Sequence, residues 1–239
     1  MTTGSNVPAP KDGGLEGDDG FDDARSAILD EALMLAPFDG WTTAMMREAA
    51  RAADRDEATR RAAFPGGVAD LLEFWSRRLD AQMHAAIKGP DAPTERIRAK
   101  VAFALNARLD LLADHREAAR RAAATAALPL YAGLAPRLVW ATADTVWRAL
   151  GDTSTDYNFY SKRTILSGVW SSTFLRWLSD ETDDLSATRA FLDARIENVM
   201  QFEKAKARVQ KLGIDPGAAI GVLARLRYPF SARRSSAAR

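Results

Sequence analysis

The chain has no cysteine in its 239 residues, which removes disulfides, thiolate catalysis and cysteine metal sites together and suits a reducing compartment. Histidine is nearly as scarce. His84 and His115 are the only two, and neither follows a Glu-x-x-His spacing, which would put two metal ligands on one helix face. Uninterrupted apolar runs of about 20 residues are missing, so no membrane-spanning helix is expected. Period-two runs of β-branched residues are missing too, which argues against strands. No Gly-x-Gly-x-x-Gly or Gly-x-x-x-x-Gly-Lys phosphate cradle occurs, and no Gly-x-Ser-x-Gly nucleophile elbow. Nor is there a surplus of one charge: 33 Lys and Arg oppose 32 Asp and Glu, so the balance favours neither nucleic acid nor an acidic partner. The first 20 residues lack both the charged-then-apolar order of a secretory signal and the arginines of a transit peptide. They are read as a disordered tail, residues 1–20, on a cytoplasmic protein of bacterial type.

What is present is helix-forming. The apolar share of 47% supports a core, and Ala, Leu, Arg and Glu dominate, so the fold class expected is all-α. The spacing predicts a first helix over Asp22–Ala36, stopped by Pro37, and a second after Thr42 or Thr43, running to Ala53. A short third helix covers Asp56–Ala63 and ends at Phe64-Pro65-Gly66-Gly67. Val68–Ile87 is a long amphipathic helix. Thr94 is expected to cap the next, whose stripe is Ile97, Val101, Leu105, Leu109 and Leu112. Pro129 and Pro136 punctuate short pieces. Leu138–Leu150, Tyr157–Leu178 and Ser186–Lys211 complete the body, and Asp215-Pro216 opens a separate last helix. The expected organisation is a helix-turn-helix subdomain over 21–67, a helical body over 68–211, and a terminal amphipathic helix with a basic tail over 212–239.

Three stretches carry functional information. The first is Asp156-Tyr157-Asn158-Phe159-Tyr160-Ser161-Lys162-Arg163, with three aromatics in four residues and two cations behind them. Spread around a helix start, these rings cannot all face one core, so part of them is expected at the surface as a binding patch. Asn158 and Arg163 either hydrogen-bond a head group or partner, or tie down the loop from Gly151 to Thr155. The second is the carboxylate cluster Asp180, Glu181, Asp183 and Asp184, read as an acidic helix N-terminus. The third is the last helix, where Ala219, Val222, Leu223, Leu226 and Phe230 share a face flanked by Arg225 and Arg227. No acidic residue follows Asp215, while five arginines do. An apolar face flanked by cations suits a helix lying in an anionic membrane surface.

The string Asp156-Tyr157-Asn158-Phe159-Tyr160-x-x-Arg163, preceded by Gly151-Asp152-Thr153-Ser154-Thr155, resembles the signature of coenzyme Q protein nine, an accessory family of ubiquinone biosynthesis. Phe191-Leu192-Asp193-Ala194-Arg195-Ile196-Glu197-Asn198-Val199-Met200 resembles that family's closing helix. The resemblance runs from about Arg25 to Lys211. It implies a non-catalytic lipid-binding protein with a TetR-like helical fold and no cofactor, one that takes an isoprenoid lipid or ubiquinone intermediate and serves a quinone-biosynthesis hydroxylase. On this reading Leu138, Val146, Ile165, Val169, Phe174, Leu178, Phe191 and Ile196 line the lipid cavity, with Gly133 and Gly168 leaving space in it. Asp156, Tyr157, Asn158, Phe159, Tyr160 and Arg163 face the hydroxylase, and the terminal helix touches an anionic membrane. A homodimer is expected.

A ligand-responsive regulator of the TetR type is the competing reading. Arg47 to Ala53 fits the first helix of a helix-turn-helix, with Thr59 and Phe64 where such proteins carry Thr and Phe. The turn, however, reads Asp54-Arg55-Asp56-Glu57, and three carboxylates there oppose the phosphate contacts that dominate DNA affinity. DNA is therefore not expected as a partner.

Overall fold

The computed structural model describes residues 16–211 apart from 95, 156 and 183, with side chains described from 21 to 201. Asp156, and the terminal helix with Ala219, Val222, Leu223, Arg225, Leu226, Arg227 and Phe230, lie outside the described residues. Within them the chain is all helical, with nine α-helices, one 3-10 turn and no strand, consistent with a TetR-like bundle. None of these helices is long and apolar enough to cross a membrane.

The helices are α1 (Glu16–Asp39), α2 (Thr43–Ala52), α3 (Glu57–Ala63), α4 (Val68–Lys88), α5 (Ile97–Ala113), α6 (Arg116–Ala126), α7 (Leu134–Ala149), α8 (Tyr157–Leu178) and α9 (Ser186–Lys211). Local chemistry sets most of their ends. The Thr42 hydroxyl accepts from the Met45 amide, and the Asp56 carboxylate accepts from the Thr59 amide, so α2 and α3 both start on side-chain caps. Asp54 takes the left-handed conformation (φ 53°) in the turn between them, a backbone slot that Asp tolerates better than most side chains. Asp180 and Asp184, from the acidic cluster, accept from the Thr188 and Ser186 amides at the start of α9. Carboxylates on the free amides of a first turn are where the helix dipole favours them.

Several expectations need correction. Pro37 does not stop α1, which runs on to Asp39 because Pro37 falls in its last turn, where only one ladder bond is lost. The Gly40 amide then closes the helix on the Ala36 carbonyl. Thr94 does not cap α5, whose first turn closes on the Arg96 carbonyl with no side-chain cap. Ile97 drops out of the predicted stripe and is exposed, while Val101, Leu105, Leu109 and Leu112 are buried as expected. α7 begins four residues before Leu138, and Pro136 sits harmlessly in its first turn.

One contiguous apolar core runs from Ile28 in α1 to Leu192 in α9. Trp41, in the α1–α2 turn, stacks on Trp75 of α4 with ring centroids 5.3 Å apart, and its indole N–H donates to the Ala118 carbonyl of α6. Two arginines of α6 reach across to the end of α8: Arg116 donates to the Trp177 and Asp180 carbonyls, and Arg120 to that of Leu178. Cations on the last carbonyls of a helix satisfy groups that have no partner within it. These contacts fix α6 beside α8, and the space between them is the cavity described next.

Candidate functional site

A cavity of about 360 Å³ lies among α4, α5, α6, α7 and α8. Its wall is almost wholly apolar. Leu72, Trp75 and Leu79 of α4 form one side, and Leu138 and Val139 of α7 with Trp170 and Phe174 of α8 form another. α6 contributes Ala119, Ala122, Ala123 and Ala126, small side chains at helical spacing. Larger residues at these α6 positions would project into the same space. The volume falls within the ordinary range of ligand pockets, about 300–1,000 Å³.

A buried polar group underlies part of this wall. Arg108 of α5 donates to the Asp80 carboxylate at 2.5 Å and to the Ser76 hydroxyl at 2.9 Å, with its guanidinium over the Trp170 ring at 5.4 Å. Burial pushes the Asp80 carboxyl up and the Arg108 guanidinium down, and their mutual attraction opposes both shifts. At that separation, with Ser76 also engaged, the charged pair is the form the geometry accommodates.

A second apolar groove of about 300 Å³ runs along α5, α8 and α9. The residues expected to line one lipid cavity divide between the two spaces. Leu138 and Phe174 line the first, while Ile165, Val169 and Ile196 line the second. Val146, Leu178 and Phe191 border neither. Val146 is fully buried in the core, Leu178 packs against the core, and the Phe191 ring carries Arg195 above it at 4.7 Å. Helical periodicity marks the inward stripe of each helix, and two cavities on one helix share that stripe, so α8 reads as a single lining element. Gly168 has open space where a Cβ would stand, whereas Gly133 is required by its left-handed backbone (φ 88°) at the entry to α7. The sequence reading missed the α6 alanines and the α4 wall; small residues recurring every three or four positions were the available signal.

The aromatic stretch opens α8. Tyr157 is 74% exposed and Tyr160 61% exposed, and Phe159 lies half-buried, edge-on to Tyr160 at 5.1 Å. Arg163 stacks on the Phe159 ring at 3.5 Å and is itself only 1% exposed. Of its two expected roles it therefore takes the one that ties down the loop. Its guanidinium bonds Asp144 of α7 at 2.6 Å and Asp152 at 3.0 Å, and it also donates to the Phe159 carbonyl. It presents no charge to a partner. Lys162 donates to Asp152 at 2.6 Å while its ammonium stands 5.4 Å from the Trp147 ring centroid. Asn158 is exposed and lines the second groove beside Tyr157.

The hydrogen bond from Lys162 holds the Asp152 carboxyl well below the usual carboxylate range, with Ser154 and Arg163 adding to it and desolvation opposing. A carboxyl depressed on folding contributes stability above its unfolded pKa, about 3.9, and that stability is lost as pH falls through the folded value. The loop from Gly151 to Thr155 is therefore expected to stay locked down to about pH 4 and to loosen in more acidic solution. Hydrogen exchange of residues 151–160 against pH measures this. Asp152→Asn should abolish that acid-dependent loosening while making the loop more labile at neutral pH.

The matches to known proteins centre on these elements. Residues 132–203 match the family model described as COQ9, from the entry to α7 through most of α9. Both stretches that carried the sequence resemblance, Asp156 to Arg163 and Phe191 to Met200, lie inside this COQ9 segment, so the resemblance is borne out. The similarity extends further in curated relatives. The chain is 26% identical over 193 residues to the rat protein named "Ubiquinone biosynthesis protein COQ9, mitochondrial", covering 78% of this chain and 62% of that one. It is 27% identical over 204 residues to COQ9-A of Xenopus laevis, covering 83% and 64%. A probable coq9 protein of Dictyostelium discoideum is 34% identical over 68 residues. The chain spans a little under two thirds of the length of the first two.

Proposed function

We propose that the protein is a non-catalytic lipid-binding component of ubiquinone biosynthesis. It shelters part of an isoprenoid quinone intermediate and presents it to a hydroxylase of the pathway. The apolar cavity among α4–α8 is the observation that carries this reading, because α7 and α8, two of its walls, belong to the COQ9 segment. A space of about 360 Å³ takes only part of a long polyprenyl chain, so the remainder stays in the bilayer or along the second groove. The terminal helix, with its apolar face and Arg225 and Arg227 at the flanks, would keep the protein at an anionic membrane surface. Among the described residues no group of three or more His, Asp or Glu is arranged to hold a metal ion.

Native mass spectrometry of the purified full chain, with organic extraction, tests the cavity. A bound polyprenylated quinone precursor supports the reading. A protein that stays empty after incubation with quinone-loaded vesicles overturns it and returns attention to DNA binding through α2 and α3. Against that alternative, Glu57 engages both cations of α3, Arg60 and Arg61.

The partner surface is assigned to Tyr157 and Tyr160, whose rings stand in solvent above a buried support. Aromatic residues on rigid elements carry much of the binding energy at such surfaces. Tyr157→Ala with Tyr160→Ala is expected to leave the helical circular dichroism and lipid in the α4–α8 cavity unchanged while reducing capture of the hydroxylase by roughly tenfold or more. Unchanged capture would remove the patch from the scheme. Phe159 is a poor choice for this test, because truncating it also removes the surface on which Arg163 rests.

A further inference from the structure

The wall of the α4–α8 cavity carries hydrogen-bond donors that nothing in the fold uses. Ser76, Arg108, Thr142 and Ser171 are its lining residues with hydroxyl or guanidinium groups. Thr142 and Ser171 spend their protons on carbonyls of their own helices, those of Leu138 and Ser167. Ser76 and Arg108 are not closed off in this way. Arg108 Nη1 donates to the Asp80 carboxylate and the Ser76 carbonyl, and Nη2 donates to the Ser76 hydroxyl oxygen. The Arg108 Nε–H is buried and has no acceptor among the described residues. Ser76 Oγ accepts from Arg108, and its own proton has no acceptor there either.

Arg108 is 4% exposed and Ser76 7%, so neither donor has ready access to bulk water. A buried donor without an acceptor has given up water and gained nothing in return, and such groups are rare in folded proteins. Two of them stand together here, on residues joined by a 2.9 Å hydrogen bond. The spare capacity of this corner is all donor. No carboxylate lines the cavity, and the nearby Asp80 is already held by Arg108. The ligand that complements such a wall is a hydrocarbon ending in an oxygen acceptor. An amine, which brings only more donors and a second cation, does not complement it.

We propose that the Arg108 Nε–H and the Ser76 hydroxyl together bind a carbonyl oxygen of the ligand. The cavity then takes the oxygenated end of an isoprenoid, not its hydrocarbon terminus, and the chain trails outward. A hydrogen bond from a guanidinium is charge-assisted and so stronger than one between neutral groups. The Trp170 ring, 5.4 Å from the guanidinium, helps hold that donor in place. This inference rests on the lipid-binding reading and adds to it which end of the molecule is held and by what.

Two probes of one carbon skeleton separate the oxygen from the chain. One is geranylacetone, which carries a ketone, and the other is its hydrocarbon analogue with a methylene in place of the carbonyl. Displacement of N-phenylnaphthylamine from the full-length protein reads both affinities. Ser76→Ala with Arg108→Lys keeps a cation beside Asp80 while removing the hydroxyl and the Nε donor. This variant is expected to bind geranylacetone roughly tenfold more weakly and the hydrocarbon as the parent does. Ser76→Ala alone, the gentler change, is expected to show the same selectivity at roughly threefold, and it keeps the test alive if the double variant does not fold. Equal losses on both probes would mean that these residues act only through the shape of the wall. No loss on either would mean that the spare donors hold water. Each of those results overturns the proposal while leaving the cavity a lipid site. If neither probe binds the parent, the lipid-binding reading itself falls, and this inference with it.

Discussion

Arg163→Ala is expected to cost about 3–5 kcal/mol of folding stability, more than any single surface change in this chain. The guanidinium is 1% exposed and bridges Asp144 and Asp152, two carboxylates on separate segments. Removing it leaves the Asp144 carboxylate with only the exposed Arg148, and Asp152 with Lys162, inside a wall built for a third cation. Each carboxylate then keeps a single, more exposed cation where it had two, and the loss of the buried one is what makes the effect large. Arg163→Lys should recover only part of it, since one ammonium cannot reproduce a planar fork spanning both acids and the Phe159 carbonyl. Urea unfolding followed by tryptophan fluorescence reads the effect. Hydrogen exchange should place the earliest loss of protection in residues 151–160. An Arg163→Ala protein with an unchanged midpoint would show that the loop is held by something else.

The second large effect concerns the pair beneath the cavity wall. Asp80→Ala strands the Arg108 guanidinium, 4% exposed, in an apolar wall, and should also cost about 3–5 kcal/mol. The double change Asp80→Leu with Arg108→Met removes both charges at similar volume. It is expected to be close to neutral, or stabilising by about 1–4 kcal/mol, because neither ion then needs desolvating. The comparison separates a stabilising role from a shaping one. If the double variant is as stable as the parent but binds an isoprenoid lipid more weakly, the pair is there to fix Trp170 and the cavity outline. If its stability falls with the single variant's, the ion pair is a net contributor in this setting. Denaturation midpoints and a lipid-binding isotherm on the same three proteins are sufficient.

Much of this was readable before any coordinates. α8 runs over Tyr157–Leu178 and α9 starts at Ser186, where the spacing puts them, because Gly, Asp and Ser stretches lie at those boundaries. Thr42 and Asp56 announce their helices by capping chemistry, and Asp180 and Asp184 do the same for α9. The cavity was less legible for a physical reason. Periodicity reports which side of a helix is apolar, but not whether the neighbouring helix closes against it or stands off. Standing off depends here on Ala119, Ala122, Ala123 and Ala126 of α6, which in sequence look like ordinary helix formers. Arg163 illustrates the converse. As an arginine behind three aromatics it reads equally well as an exposed anchor or an internal tie. Only the positions of Asp144, nineteen residues away, and Asp152 decide between them.

The stacked indoles of Trp41 and Trp75 give the molecule an internal optical gauge. Trp75 forms part of the cavity wall, and its ring lies 5.3 Å from that of Trp41 at an angle of 24°. Two chromophores that close couple their transitions, so their near-ultraviolet dichroism depends on the angle between them. A ligand that displaced the Trp75 ring would change that angle, so the near-ultraviolet dichroism of the pair would report it from within the wall.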